Sequence, residues 1–275
     1  MTLKINKYKY LVARRSIQIT VLGLFLAGNY LGWEVLRGNY SSARLFGTVP
    51  LSDPYAILQI LASGFIASTD VLLGGIIILV IYGLVNGRMF CSWICLFNIV
   101  ADTAIWSNKR LGITTQLRLS RKIRYGILVL SLILSAIIGI SAFEAISPVS
   151  ILHRGLIFGF GAGWAVILAI FLFDVAVVKY GWCGHLCPLG AFYSFIGRFS
   201  VLKVKHSKEK CTDCLKCFDV CHEVQVLDII GKKTGIIQSS ECTNCARCIE
   251  ACDDEALFFT LRSPLKQTTK KKQLS

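Results

Sequence analysis

Two cysteine runs toward the C-terminal end constrain this chain more than any other feature. Each has the spacing C-x2-C-x2-C-x3-C; the first holds Cys211, Cys214, Cys217 and Cys221, and the second holds Cys242, Cys245, Cys248 and Cys252. A structural zinc site needs two C-x2-C pairs, so it leaves the third and fourth cysteines of each run without a role. A disulfide framework is typical of secreted chains, whereas the charge pattern described below places this segment in the cytoplasm. The spacing therefore favours iron–sulfur chemistry.

The spacing resembles that of the bacterial two-cluster ferredoxins, in which three cysteines of one run hold one [4Fe–4S] cluster and the fourth crosses to the other. The resemblance implies one cluster held by Cys211, Cys214, Cys217 and Cys252. It implies a second cluster held by Cys242, Cys245, Cys248 and Cys221. Proline usually follows the fourth cysteine, whereas His222 and Asp253 stand there in this chain. Because that proline is not a ligand, both clusters are still expected.

The composition indicates an integral membrane protein. Hydrophobic residues make up 54% of the 275 residues, and the mean hydropathy is +0.61; both values exceed what a soluble globular chain normally carries. The net charge of +14 would by itself suggest nucleic-acid binding. The basic residues lie beside long apolar runs, however, so we interpret them as topology signals and expect no nucleic-acid partner.

Four uncharged runs predict four membrane spans, at residues 16–33, 71–87, 125–143 and 155–173. The first is long enough to cross a hydrocarbon core of about 30 Å. Five cations precede the first run and seven lie between residues 88 and 124, against two and one in the other connections. Because cytoplasmic loops carry an excess of Lys and Arg, both termini and the cysteine-rich segment are expected to face the cytoplasm.

A shorter cysteine motif, C-x3-C, follows the second and the fourth run. It comprises Cys91 and Cys95 in the first case and Cys183 and Cys187 in the second. Thiols four residues apart share one face of a helix, and two such pairs related by a parallel repeat would form a four-thiolate site. Soft thiolates select iron–sulfur groups, copper(I) or zinc, so a third metal or iron–sulfur centre is one interpretation. The other is that these cysteines pack as small apolar side chains at a helix junction.

The predicted architecture has three parts. Residues 1–199 are expected to form an all-α four-helix transmembrane bundle built as a parallel two-helix repeat. Residues 200–262 are expected to form a cytoplasmic α+β ferredoxin-like domain with two [4Fe–4S] clusters, and residues 263–275 a basic tail. Asp53 and Pro54 predict a helix start, with the acid as N-cap, followed by an apolar helix over residues 55–67. Residues 257–261 predict a short strand.

Taken together, the four spans, the two C-x3-C motifs and the two-cluster segment resemble the NapH family, the ferredoxin-type membrane component of quinol dehydrogenase in periplasmic nitrate reductase systems. The resemblance implies a protein of the bacterial inner membrane that oxidises quinol from the quinone pool. Its electrons would pass to a periplasmic NapG-type iron–sulfur protein and onward to nitrate reductase, with a membrane cytochrome as a further partner. This chain is not expected to be the nitrate-reducing subunit. Leu96 stands where the family's first motif has proline.

Quinol oxidation releases protons, so a carboxylate or imidazole near the quinol headgroup is wanted. Six candidates lie near the ends of the predicted spans, each of which is also explained as a helix-end residue: Asp70, Glu144, His153, Asp102, Asp174 and His185. His206 and His222 are interpreted as solvated or adjacent to a cluster. Two other functions stay open. One is a membrane reductase or maturation factor for copper or iron centres, and the other is a redox-sensing docking subunit.

Overall fold

The N-terminal part of the chain begins with a long apolar helix. The computed structural model describes residues 8–113, 117, 119–159 and 161–262, so the predicted tail at 263–275 lies outside the described residues. Helix α1, Lys9–Tyr30, has 22 residues, and within the described ranges it alone is both long and apolar enough to cross a membrane. At 1.5 Å per residue it extends about 33 Å, which matches the thickness of a hydrocarbon core.

Shorter helices make up most of the remaining N-terminal part. In chain order they are α2 (Pro54–Ala62), α3 (Thr69–Leu84), α4 (Met89–Trp93), α5 (Phe97–Leu111), α6 (Ile123–Ile138), α7 (Ala142–Ile146), α8 (Pro148–Phe158), α9 (Gly163–Ala176) and α10 (Pro188–Ile196). A π-helical turn, Gly181–Leu186, connects α9 to α10. The core of this part contains aromatic side chains from α2, α4 and α10, among them Tyr55, Phe90 and Tyr193.

A three-stranded antiparallel sheet lies between α1 and α3. Its strands, in spatial order, are β1 (Leu36–Gly38), β2 (Ser42–Leu45) and β3 (Val49–Ser52). The approach of the sheet to both helices requires glycine. A Cβ at Gly28 of α1 would lie 2.1 Å from the Leu36 carbonyl oxygen, and one at Gly74 of α3 would lie 3.0 Å from the main chain of Pro50. Larger residues at these two positions would push the sheet away.

The prediction of an all-α four-span bundle was wrong. Beyond α1, the apolar helices α3, α6 and α9 have 16, 16 and 14 residues, which is short for a span of about 20 residues, and the same part contains a β-sheet. Glycines in left-handed conformations interrupt the apolar runs. Gly139 (φ 78°) ends α6, and Gly159 (φ 96°) separates α8 from α9 inside the uncharged run 155–173. An uncharged run therefore did not amount to one continuous helix.

The predicted helix start at Asp53 and Pro54 is confirmed. Helix α2 begins at Pro54, and the Asp53 carboxylate accepts a hydrogen bond from the Tyr55 amide at 3.3 Å, as an N-cap does. The predicted end at residue 67 is wrong. The helix ends at Ala62, and Gly64 (φ 86°) turns the chain out of the helical path.

The C-terminal part, residues 200–262, contains a second antiparallel sheet and short helices. The sheet order is β5 (Gly235–Ile236), β4 (Leu202–His206) and β6 (Leu257–Leu261), so the predicted strand at 257–261 is confirmed. Helix α11, Lys216–Val220, lies within the first cysteine run, and α12, Arg247–Glu250, lies within the second. Apolar side chains such as Val204, Leu227 and Ile237 form the core between sheet and helices.

Candidate functional site

The two long cysteine runs fold into the same backbone shape. Asp213 and Leu215 in the first run have φ values of 55° and 58°, and Asn244 and Ala246 in the second have 49° and 61°. Each left-handed residue other than glycine costs about 1–3 kcal/mol and persists only where the surroundings impose it. Such strain at matching positions of both runs indicates that the chain is shaped around something that the cysteines hold.

We call the first group of cysteines the outer set, which comprises Cys211, Cys214, Cys217 and Cys252. The structure brings these four together across α11 and the end of α12. Burial raises the pKa of the Cys217 thiol to about 11, and the other three thiols contribute in the same direction. The Ala256 amide donates to the Cys252 sulfur at 3.3 Å. Cys214 is exposed, so one corner of the outer set faces solvent.

We call the second group the inner set, which comprises Cys221, Cys242, Cys245 and Cys248. All four line one small cavity, together with His222, Glu223 and Arg247. Burial raises the pKa of Cys221 to about 12 and that of Cys242 to about 11. Thiols with such raised pKa values lose their protons when metal binds.

The donor chemistry of both sets fits an iron–sulfur cube. Within the described residues, no three His, Cys, Asp or Glu side chains form a site for a single metal ion. A cube presents each thiolate with a different iron, so its ligands stand farther apart than those of one ion. Four thiols, left-handed turns and an amide hydrogen bond to sulfur are features of such a site. The assignment of individual cysteines to two clusters stays a prediction.

The two C-x3-C motifs also meet at one place, which we call the four-cysteine site. Cys91 lies in α4, Cys183 in the π-helical turn, and Cys95 and Cys187 just before α5 and α10. All four side chains line a single cavity. That cavity shares His222, Glu223 and Thr243 with the cavity of the inner set. The two sites are therefore separated by no more than this layer of residues.

A buried charge network connects the four-cysteine site to the C-terminal part. Glu223 is 3% exposed, and its Oε1 accepts from Arg88 at 2.6 Å and from Arg124 at 2.8 Å, while Arg121 binds Oε2. Burial alone would raise the pKa of Glu223, but the three guanidinium groups lower it to about 2. Arg88 also donates to the Glu241 carbonyl at 2.7 Å. The network connects Arg88 at the start of α4 and Arg124 of α6 to the segment between the two cysteine runs.

A second charge network lies beside the inner set, around Asp102 of α5. Arg247 donates to both carboxylate oxygens at 2.6 Å, and Arg15 of α1 binds the same group. The guanidinium of Arg247 and the nearby imidazole of His222 hold the pKa of Asp102 below its usual range against the opposing effect of burial. Burial, with Arg247 alongside, lowers the pKa of His222 to about 4, so this imidazole is neutral at physiological pH.

The other candidate residues are dispersed. Asp70 pairs with Arg44 at the surface, and buried Asp174 accepts from the Trp182 amide at 3.0 Å. His185 has a contact of 3.4 Å to the Tyr180 carbonyl. His206 is fully buried beside the Lys233 carbonyl, so of its two interpretations, solvated or adjacent to a cluster, the first was wrong.

Glu144 and His153 lie at the other end of the N-terminal part, near the first sheet. Glu144 binds Ser41, Ser150 and Arg154, and the His153 ring stacks on Tyr40 at 3.8 Å. Sequence reasoning did not single out Glu223, which the structure places in the wall between the inner set and the four-cysteine site. Glu223 lies two residues after a cysteine ligand candidate, and its spacing from three distant arginines leaves no signal in the sequence.

Comparison with known proteins identifies the family. A family model described as a 4Fe-4S binding domain matches residues 68–114 and again 156–206, so each match contains one C-x3-C motif. A model described as a 4Fe-4S dicluster domain matches residues 203–253. No solved structure matches the chain significantly.

Curated relatives match over most of their length. The ferredoxin-type protein NapH of Escherichia coli is 47% identical over 81% of this chain and 78% of its own. The methylamine utilization ferredoxin-type protein MauN of Methylorubrum extorquens is 45% identical over 84% of this chain and 81% of its own. Identity at this level over four fifths of each chain establishes common descent. The chain belongs to the family of ferredoxin-type 4Fe–4S electron-transfer proteins that includes NapH and MauN.

Proposed function

We propose that this protein is the membrane-bound component of a quinol dehydrogenase, and that it passes electrons from quinol through two [4Fe–4S] clusters toward a NapG-type partner and a periplasmic nitrate reductase. The contiguity of the three cysteine groups carries this proposal. The four-cysteine site shares wall residues with the inner set, and Cys217 of the outer set and Cys248 of the inner set lie in one core. Iron–sulfur clusters accept and release single electrons, so three adjacent groups suit a relay.

We infer the side of the membrane from α1. Its N-terminal end carries Lys9, Arg14 and Arg15, and basic ends of spans stay in the cytoplasm. The C-terminal part packs beside this end, because the Leu11 amide donates to Glu250 at 2.8 Å and the rings of Tyr10 and Phe259 lie 5.6 Å apart. We therefore place the two long cysteine runs at the cytoplasmic face of the bacterial inner membrane, anchored by α1.

The four-cysteine site supports a third redox centre. Four thiols converge on one cavity beside Arg88, and a 4Fe-4S family model covers both motifs. In this account Arg88 and Arg124 hold Glu223 so that the inner set keeps a constant separation from this site. Replacing Cys91 and Cys187 by serine should lower the iron content and remove one EPR signal; unchanged iron and spectra would exclude the third centre.

A second candidate function is electron transfer in methylamine utilization. The MauN relative is 45% identical and the NapH relative 47% identical, so similarity favours neither system. Deletion of the gene in its host separates the two. Loss of nitrate-dependent growth supports the first candidate, and loss of growth on methylamine supports the second.

The central experiment uses purified, iron-loaded protein in anaerobic liposomes. Menaquinol or ubiquinol analogues should reduce the clusters, as followed by visible absorption and EPR. Dithionite serves as a control for cluster integrity. Clusters that dithionite reduces and that no quinol reduces would overturn the quinol function.

A further inference from the structure

A large apolar cavity lies on the other side of the four-cysteine site from the inner set. We call it the aromatic cavity. It has a volume of about 240 Å³ and is enclosed by α1, the first sheet, α3, α4, α7, α8 and α10. Most of its wall is aromatic or aliphatic, with Phe25, Leu36, Ile78, Phe90, Phe143 and Leu189 among the lining residues. Such a space suits a flat, largely apolar molecule.

A few polar groups converge on this apolar wall. Asp53 accepts from the Tyr193 hydroxyl at 3.1 Å, and it forms no ion pair with any described residue. Tyr82 also lines this cavity, and its hydroxyl forms no hydrogen bond with another described residue. A buried carboxylate and phenols in an apolar pocket are the means by which a protein orients a ligand that carries hydroxyl or carbonyl groups.

Asp53 has the properties of a proton acceptor. Burial raises its pKa to about 7, and the negative charge of Glu144 acts in the same direction. Glu144, in contrast, is paired with Arg154 at 2.9 Å, and its side chain is 18% exposed. A group whose pKa lies near the working pH is well matched to proton transfer. Asp53 is thus poised to take up a proton, and the partly exposed Glu144 lines the same cavity.

The cavity also lies next to the cysteines. Phe90, Val149 and Leu189 line both the aromatic cavity and the cavity of the four-cysteine site. The Tyr40 hydroxyl donates to the carbonyl of Ile94, the residue before Cys95, at 2.8 Å. One layer of side chains therefore separates a ligand in the aromatic cavity from the four thiols, which is the proximity that electron transfer needs.

We propose that the aromatic cavity binds the quinol headgroup, with Asp53 as the group that accepts its protons. This inference rests on the proposed quinol function and adds the site to it. Oxidation of one quinol breaks two O–H bonds and forms two carbonyl groups. The two protons pass in turn to the Asp53 carboxylate and from there to water beside Glu144. The two electrons go singly to two oxidised iron–sulfur clusters of the chain.

A lipid acyl chain fits the same wall less well. It carries no hydroxyl or carbonyl group along its apolar length, so it would add no hydrogen bond to those that Asp53 accepts from Tyr55 and Tyr193, and it would offer none to Tyr82. The rings of Phe90 and Tyr193 stack at 5.5 Å, with Tyr82 edge-on at 5.3 Å from Tyr193. This aromatic surface favours a planar ring.

The first test is photolabelling of the iron-loaded protein with a short-chain azidoquinone, followed by peptide mapping. Label is expected on segments that line the aromatic cavity, such as β2 and α3. Filling the cavity by Ala43→Trp, or by the milder Ile78→Phe, should abolish the labelling while iron content and dithionite reduction stay at wild-type levels. Label on other segments, unaffected by both variants, overturns the site.

The second test separates binding from proton transfer. Asn caps a helix as well as Asp, so Asp53→Asn should fold, keep the labelling and keep the half-saturating quinol concentration. Its maximal rate of quinol-driven cluster reduction should fall about 100-fold or more, as expected for loss of a general base. Asp70→Asn, an exposed carboxylate nearby in the chain, is the matched control and should be unchanged. An unchanged rate in Asp53→Asn overturns its role.

The outcomes distinguish this inference from the function on which it rests. If quinol reduces the wild-type clusters but neither labelling nor rate responds to the cavity variants, the quinol function stands and the site is wrong. If quinol fails to reduce wild-type clusters that dithionite reduces, the quinol function falls and the role of Asp53 with it.

Discussion

The outer and inner cysteine sets have the same spacing, yet they lie in different surroundings. Cys214 of the outer set is exposed, and the charged pairs next to it, Lys208 with Asp213 and Lys216 with Asp253, lie at the surface. The inner set lies in a small cavity between two charge networks that bind it to the N-terminal part. The inner set faces the N-terminal part of the protein, and the outer set faces solvent.

This difference in surroundings indicates the direction of electron transfer. Exposed edges of a redox protein suit transient partners, whereas buried and rigidly held groups suit transfer within one molecule. The inner set is therefore expected to exchange electrons with the four-cysteine site, and the outer set with a separate protein. Under the proposed quinol function, electrons run from the aromatic cavity past the four-cysteine site to the inner set and then to the outer set.

Removing one ligand from each set should produce the largest contrast. In Cys248→Ser the inner set is damaged, and we expect quinol-driven reduction of the outer cluster to fall to the level seen without quinol, because the relay is interrupted. In Cys214→Ser the inner cluster should still be reduced at the wild-type rate. Iron analysis shows which cluster each variant has lost, and EPR after mixing with quinol shows whether the remaining cluster is reduced. If quinol reduced the remaining cluster equally well in both variants, the inner and outer sets would not have different positions in the relay.

Breaking the buried charge network should have the next largest effect. Glu223→Gln removes the carboxylate that Arg88, Arg121 and Arg124 share, although Arg124 keeps its pair with Glu241 at 2.5 Å. Breaking a buried pair from one side costs about 3–5 kcal/mol. The midpoint of thermal unfolding should fall by on the order of 10 °C. Glu209→Gln, an exposed glutamate of the same part, is the control and should shift stability by less than about 0.5 kcal/mol. Matching midpoints would mean that Glu223 does not hold the two parts together.

The Asp102 network should contribute less to stability than the Glu223 network, because the Asp102 carboxylate is 20% exposed and solvent screens its charge. Asp102→Asn is expected to destabilise by about 1–3 kcal/mol. The folded-state pKa of Asp102 lies below its ordinary value of 3.8, so this stabilisation is present above pH 3.8 and is lost as pH falls below it. The difference in the free energy of unfolding between wild type and Asp102→Asn should therefore become smaller in acid. Asp219→Asn serves as the exposed control, and a gap that widens in acid contradicts the assignment.

The exposed pairs beside the outer set should contribute least. The Lys216 and Asp253 side chains are 57% and 52% exposed at 2.6 Å separation, and exposed pairs contribute about 0–1 kcal/mol. Lys216→Ala should leave the unfolding midpoint nearly unchanged. A fall in the unfolding midpoint as large as that of Glu223→Gln would show that the surface pair beside the outer set stabilises the fold as much as the buried network does.

Features that depend on neighbouring residues could be predicted from the sequence, whereas contacts between residues far apart in the chain could not. The cysteine spacing, the Asp53 cap and the strand at 257–261 depend on neighbours a few residues away, so the sequence carried them. Four spans were inferred from missing charge, but Gly139 and Gly159 broke the runs into shorter helices. The first sheet was missed because its strands have three or four residues each.

The same distinction applies to the candidate site. The convergence of Cys91 and Cys95 on Cys183 and Cys187 was expected from the repeated motif. Asp53 was read only as a helix cap, since nothing local shows that Tyr193 and the aromatic cavity lie beside it. Such contacts join residues more than a hundred positions apart, and only the folded chain displays them.

Rapid mixing with quinol, followed by freezing and EPR at successive times, tests the order of the relay most directly. Cys248→Ser and Cys214→Ser provide the spectra that assign each signal to its set. The account predicts that the inner-set signal appears first and the outer-set signal follows, at a rate that does not depend on quinol concentration. An outer-set signal that appears first, or that still appears with quinol in Cys248→Ser, would contradict it.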